Sequence, residues 1–236
     1  APAGGGRAVD LGCGAGTTAL TLAAARPDLS ITGVDLSPEL IRVASGRNSL
    51  SFLHFEQADL AAAGARHVAG ADLLFSRHGV MFFDDPATVF TSLRQGAAPG
   101  ARLVFSCFRA PDLNSWATLA TVIAGTPPSP PRTGYAPGPF GFADAAWTES
   151  LLARAGWVDI HHEPADYRYI AGEGADPVAD AIGFLRRIGP VASALHAVPD
   201  QGRPAALDRL TTALAAHRDG DRVDFPAAAS IWTARA

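Results

Sequence analysis

Through the first half of the chain, short apolar runs alternate with stretches whose apolar positions recur every three or four residues. The runs at 7–11, 30–34, 51–55, 71–76 and 101–108 have the length of buried strands, and 71–76, almost wholly apolar, reads as central. Between them, 17–26 carries Leu20, Ala23 and Ala24 at helical spacing and stops at Pro27. Ser37 reads as a helix N-cap with Pro38 in the first position, and that helix runs to about Gly46. Asp85-Pro86 opens another helix, with Val89, Phe90 and Leu93 on one face. Strand and helix in alternation predict an α/β fold around a parallel sheet.

Beyond residue 108 the rhythm changes. Residues 109–142 are rich in Pro and Gly with scattered aromatics, and the spacing predicts one helix there, near 115–123. So long an irregular stretch is usually functional or mobile. A helix at 144–155 and a strand at 157–162 resume the pattern. Helices at 176–196 and 204–217 carry apolar stripes, Val178, Ile182 and Leu185 on one and Leu207, Leu210 and Leu214 on the other, and 225–235 is a final strand. No internal repeat is seen, and 236 residues suit one well-cored domain spanning 1–236.

Composition narrows the partners. The chain is 48% hydrophobic and 18% charged, as in globular proteins. Its net charge is -4, its 19 basic residues are all Arg, and none form a basic run, which argues against nucleic acid. No apolar run reaches the roughly 18 residues of a membrane span, so no membrane partner is expected. Residues 1–6 lack a charged segment leading into an apolar core, so no signal peptide is expected. Cys13 and Cys107 lie far apart and in no metal-type spacing. Two reduced thiols, a cytoplasmic location and no metal are the expectation.

The chemistry is concentrated in the segment VDLGCGAGT, residues 9–17. A Gly-rich turn from strand to helix lets a ligand approach the backbone and aims free amides at it. Gly12, Gly14 and Gly16 give G-x-G-x-G, whereas the dinucleotide pattern G-x-G-x-x-G needs its third Gly where Thr17 stands. Asp10, just before the first Gly, would repel a pyrophosphate and attract an ammonium group. Asp35 ends the second strand, where an acid can accept from ribose hydroxyls. Asp59 follows the third, where an acid can accept from the adenine amine. Each alone reads equally as a solvated residue or a helix cap; three in register point to a ligand with amine, ribose and adenine.

These segments resemble the class I, Rossmann-like methyltransferases that use S-adenosyl-L-methionine. VDLGCGAG is similar to the family's first motif, GVDLS to its second and QADL to its adenine-contacting segment; DLLFSRHGVMFFDD, residues 72–85, resembles the bacterial small-molecule branch that includes quinone-biosynthesis enzymes. The likeness spans about 7–110 and extends less specifically through GPFGF at 138–142. It implies that Asp10, Gly12, Cys13, Gly14, Gly16, Asp35, Leu36, Asp59, Leu60 and Ser76 surround the cofactor. It also implies a seven-stranded, mostly parallel sheet with helices on both faces, an antiparallel last strand and a helical insert before it. Branch members usually carry helices ahead of the first strand; six residues precede it here.

The implied activity is in-line methyl transfer to oxygen, carbon or nitrogen of a small-molecule acceptor, with S-adenosyl-L-homocysteine as product. Such transfer depends mainly on holding the acceptor close and aligned. His78, after the fourth strand, is the candidate general base, with a pocket-lining or structural histidine as the alternative. Asp84-Asp85 reads as a helix cap ahead of Pro86 rather than a metal pair. The DPPY-like segment of nucleic-acid methyltransferases is absent after strand four, where Ser76-Arg77-His78-Gly79 stands. Segments 109–142 and 163–222 are expected to cover the acceptor, with Trp116, Tyr135, Phe140 and Phe142 supplying apolar surface and Arg186-Arg187 closing from the other side. The competing readings are an NAD-dependent oxidoreductase, which Asp10 and the glycine spacing oppose, and a non-catalytic cofactor-binding module.

Overall fold

A computed structural model describes residues 4–125, 134–187 and 189–236. Strands β1 (Gly6–Leu11), β2 (Leu29–Asp35), β3 (Leu53–Gln57), β4 (Leu73–Arg77) and β5 (Arg102–Phe108) lie parallel in the order β3-β2-β1-β4-β5. β8 (Arg222–Arg235) runs antiparallel to β5, pairing Phe105 with Trp232, and β6 (Val158–Glu173) follows it at the edge. The expected seven-strand path with an antiparallel last strand is thus present. A two-residue β7 (Arg218–Asp219) adds an eighth, folded back on β8. Strand order reverses between β1 and β4, and the crevice beyond their carboxyl ends is where open α/β sheets bind ligands.

Successive strand residues point to opposite faces. On one face Ala8, Ile31, Leu53, Leu73 and Phe75 form a core with Ala19 and Ala23 of α1 (Thr17–Ala25). On the other, Phe90 of α4 (Pro86–Gly96) packs on Phe105 at 5.7 Å between ring centroids. The sequence-encoded caps hold. Ser37 accepts from the Leu40 amide at 3.2 Å to start α2 (Pro38–Gly46), and Asp85 accepts from the Thr88 amide at 3.1 Å to start α4.

Contacts divide the chain into two units. The first comprises Ala1–Arg109, Tyr135–Ala165 and Ala229–Ala236; the second comprises Ala110–Gly134 and Asp166–Ala228. The second unit gathers α5 (Leu119–Ala124), α7 (Pro177–Leu185), α8 (Gly189–Ala197) and α9 (Arg203–Ala215). Arg209 ties α9 to α5 by donating from Nε to the Val122 carbonyl at 3.0 Å. Trp116 stacks on Tyr169 at 5.7 Å.

Several elements depart from the sequence reading. The stretch 176–196 is two helices, α7 and α8, with Gly189 at φ 77 beginning the second; Ile188 lies outside the described residues. Residues 126–133 of the irregular segment also lie outside them. The helix expected at 115–123 opens as a 3-10 turn, Ser115–Thr118, before α5. β6 is 16 residues long rather than six, and α3 (Leu60–His67) was not anticipated. No helix among the described residues is long and apolar enough to cross a membrane.

Candidate functional site

The turn after β1 is tied to β2: the amides of Gly12 and Cys13 both donate to the Val34 carbonyl, at 2.9 and 3.0 Å. Gly12 adopts φ +69, a conformation that favours glycine, and a Cβ there would stand 3.1 Å from Gly79 Cα. The glycine loop therefore lies backbone to backbone against the turn following β4. Ser76 fastens that approach. Its buried hydroxyl donates to the Leu11 carbonyl at 2.6 Å and accepts from the Gly79 amide at 3.2 Å.

Asp35, at the end of β2, spans two loops. One carboxylate oxygen accepts from the Gly14 amide at 2.8 Å and the other from the Ser37 amide at 2.9 Å. Each oxygen keeps a further lone pair for a hydroxyl. Asp59 caps α3, accepting from the Ala61 amide at 2.8 Å, so the helix-cap reading of this acid is realised alongside its place in the cleft.

Together these turns shape a cleft of ≈ 450 Å³, within the usual size range of small-molecule sites. Six of the sequence-nominated residues line it: Gly12, Asp35, Leu36, Asp59, Leu60 and His78. Leu40, Phe82 and Phe83 supply apolar wall, and Asp84 a third carboxylate. No Arg lines it among the described residues, so its field suits a cationic or hydroxyl-rich ligand better than a pyrophosphate.

The remaining nominated residues are not among those lining the cleft. Gly14 donates to Asp35; Gly16, at φ +79, precedes α1 against Phe55 and Ala44; Cys13 is buried; Ser76 is the brace described above. Asp10 is 1% exposed, and its Oδ2 accepts no hydrogen bond from the described residues. Burial pushes its carboxyl up to about 7; the Ala19 amide and Arg77 pull the other way, and the charge of Asp35 adds to the rise. A buried carboxylate oxygen lacking a donor, beside a glycine turn that only a bare backbone fits, is what an ammonium-bearing ligand would complete.

His78 is held at φ 59, a left-handed conformation costly outside glycine, and its ring stacks on Phe108 at 4.2 Å. Burial, with Arg77 adding, lowers its imidazole to about 4. It is therefore neutral near pH 7 and only weakly basic.

The aromatics expected to grip an acceptor are largely packed. Phe142 is buried against Phe90 and Phe105. Tyr135 stacks on Trp147 and donates its hydroxyl to the Phe83 carbonyl, and Trp116 is buried within the second unit. Sequence reasoning missed Gly79, Leu40, Phe82 and Phe83. The signal for Gly79 was its pairing with Ser76 in the turn after β4; the apolar three carried none, being ordinary at helix and turn positions.

Residues 3–127, just over half of the chain, match a family of methyltransferase domains, and the chain belongs to that family. Trans-aconitate 2-methyltransferase of Methylobacterium nodulans is 36% identical over 97 residues, covering 41% of this chain and 36% of that protein, about a third of the relative's length. The enzyme of the same name from Paracidovorax citrulli is 27% identical over 199 residues, 78% of this chain and 74% of its own. The solved S-adenosylmethionine-dependent methyltransferase from Mesorhizobium loti shares the fold, with a TM-score of 0.51 and 21% identity over 100% of this chain and 94% of that one.

Proposed function

We infer that this protein methylates a carboxylate oxygen of a small polycarboxylic acid in the cytoplasm, trans-aconitate being the first acceptor to try. The observation that carries the donor half is the buried, donorless Asp10 oxygen behind the Gly12 turn. Asp10 would hold the amine of S-adenosylmethionine, Asp35 its ribose hydroxyls and Asp59 its adenine amine, with Leu36, Leu40 and Leu60 against the ring. When bound, that cofactor supplies an electrophilic methyl on a positively charged sulfur.

Two observations favour a carboxylate acceptor. Two relatives bear the name trans-aconitate 2-methyltransferase, and trans-aconitate is a tricarboxylate. A carboxylate also needs no proton removed, which suits a site whose nearest candidate base, His78, is too weakly basic at pH 7 to drive proton transfer. His78 then lines the cleft as a neutral, Phe108-stacked wall. The second unit, which gathers most of segments 109–142 and 163–222, would carry acceptor recognition.

The test is turnover. Methyl-labelled S-adenosylmethionine with trans-aconitate should yield labelled monomethyl ester and S-adenosylhomocysteine in equal amounts. His78→Gln should keep turnover within about tenfold, whereas an enzyme relying on a general base loses roughly 10²–10⁴-fold. Transfer to phenols or amines but to no carboxylic acid would overturn the acceptor assignment.

A further inference from the structure

The second unit holds a cavity of its own, ≈ 440 Å³, lined by Gly183, Arg186, Arg187, Leu195, His196, Arg203 and Leu207. Its chemistry is the reverse of the donor cleft. Three arginines line it together with the apolar Leu195 and Leu207, in a chain whose net charge is -4. They come from separate elements: Arg186 caps the carboxyl end of α7, Arg187 follows it, and Arg203 opens α9.

Fold stability explains only part of this cluster. Arg187 donates from Nε to the Gly183 carbonyl at 2.9 Å, an ordinary helix-end contact that leaves the outer edge of its guanidinium available. Arg203 donates to the Val198 carbonyl at 3.5 Å and pairs with Asp200 at 3.1 Å, but Asp200 is an exposed side chain, and such pairs contribute little. Arg203 also stands in the first turn of a 13-residue helix, where a cation opposes the helix dipole, and the N-cap there, Gly202, offers no side-chain cap. Among the described residues nothing bonds or pairs with the Arg186 guanidinium. His196 donates from Nδ1 to the Ala192 carbonyl at 2.8 Å, which leaves Nε2 as its open atom.

We propose that this cavity is a binding site for a small polycarboxylate, its carboxylates held by Arg186, Arg187 and Arg203 and its hydrocarbon frame laid on Leu195 and Leu207. Guanidinium forks match carboxylates two bonds at a time, and dispersed cations around an apolar floor suit several carboxylates on one carbon skeleton better than a compact ion. The choice of polycarboxylate over other organic anions rests on the acceptor class inferred above; the existence of the anion site does not. The proposal is of binding within the second unit.

Citrate is the probe. Calorimetric titration into the full chain should show saturable binding with a dissociation constant of about 1 mM or tighter, and inorganic phosphate and acetate should bind at least about tenfold more weakly. Arg186→Gln, which breaks no contact among the described residues, should weaken citrate about tenfold with the melting temperature and S-adenosylhomocysteine affinity unchanged; Arg203→Gln, which also gives up its Asp200 pair and its bond to the Val198 carbonyl, should weaken citrate similarly. Citrate that does not bind, binds no better than acetate, or binds Arg186→Gln and Arg203→Gln as well as wild type overturns the proposal. Loss of S-adenosylhomocysteine binding in wild type would instead strike the methyltransferase reading and leave the anion site standing.

Discussion

Asp10→Asn is expected to stabilise the unliganded protein near neutral pH while weakening its hold on the cofactor. The carboxyl is buried, its pKa raised from 3.8 to about 7. Below pH 4 both folded and unfolded chains carry the proton and the group costs nothing. Between pH 4 and 7 the unfolded chain ionises while the folded one retains its proton, so stability falls as pH rises, and above 7 the loss is complete. At about 1.4 kcal/mol per unit, the cost is on the order of 4 kcal/mol. Asparagine has the same shape and no charge, so thermal melts of the variant should be flatter between pH 4 and 7 and higher at pH 8. Cofactor affinity should drop by about 1.5–3 kcal/mol, the usual worth of a hydrogen bond to a charged group. A variant that melts lower at pH 8 and binds S-adenosylhomocysteine like wild type would show Asp10 to be an ordinary structural acid.

Gly79→Ala should damage stability and cofactor binding together. A Cβ there would stand 2.6 Å from the Leu11 carbonyl, 2.9 Å from Ser76 Oγ and 3.0 Å from the Gly12 carbonyl. Two of these are backbone atoms of the donor turn, and backbone gives way reluctantly. Overpacking of this kind costs about 1–3 kcal/mol, and relief requires moving the turn that frames the cleft. Gly96→Ala is the control. Its Cβ would collide with the backbone of Ala65, away from the cleft, so it should lower the melting temperature comparably yet leave cofactor affinity of the folded protein unchanged. Equal effects of the two variants on affinity would mean that the Gly12–Gly79 contact has no special bearing on the site.

The donor half of the molecule was legible because its signals are local. Buried parallel strands read as apolar runs, Ser37 and Asp85 announce their helices, and the acids fall at strand ends where a ligand's polar groups can meet them. What was illegible depended on distant partners. α3 has no large apolar stripe; Gly64 instead packs closely on Ser92 and Leu93 of α4, a contact no periodicity reveals. β6 is exposed along most of its length and contains Pro164, as an edge strand can, so neither alternation nor propensity marked its second half. Trp116, Tyr135 and Phe142 looked like a ligand-binding set in sequence, but aromatic residues fill cores and pockets alike, and only the packing separates the two. The sequence points Asp35 at ribose hydroxyls, with a solvated residue or helix cap as the alternative; its bonds to the Gly14 and Ser37 amides, which make it a clasp between two loops, depend on turn geometry.

Calorimetric titration of S-adenosylhomocysteine into wild-type protein and Asp35→Ala tests the donor cleft most directly. Wild type should bind one equivalent saturably. The variant, deprived of acceptors for two ribose hydroxyls and of the anchor for Gly14 and Ser37, should remain folded but bind roughly 30- to 1,000-fold more weakly, or about 2–4 kcal/mol. No heat of binding to wild type at about millimolar ligand, or equal affinity in the two proteins, would contradict the account.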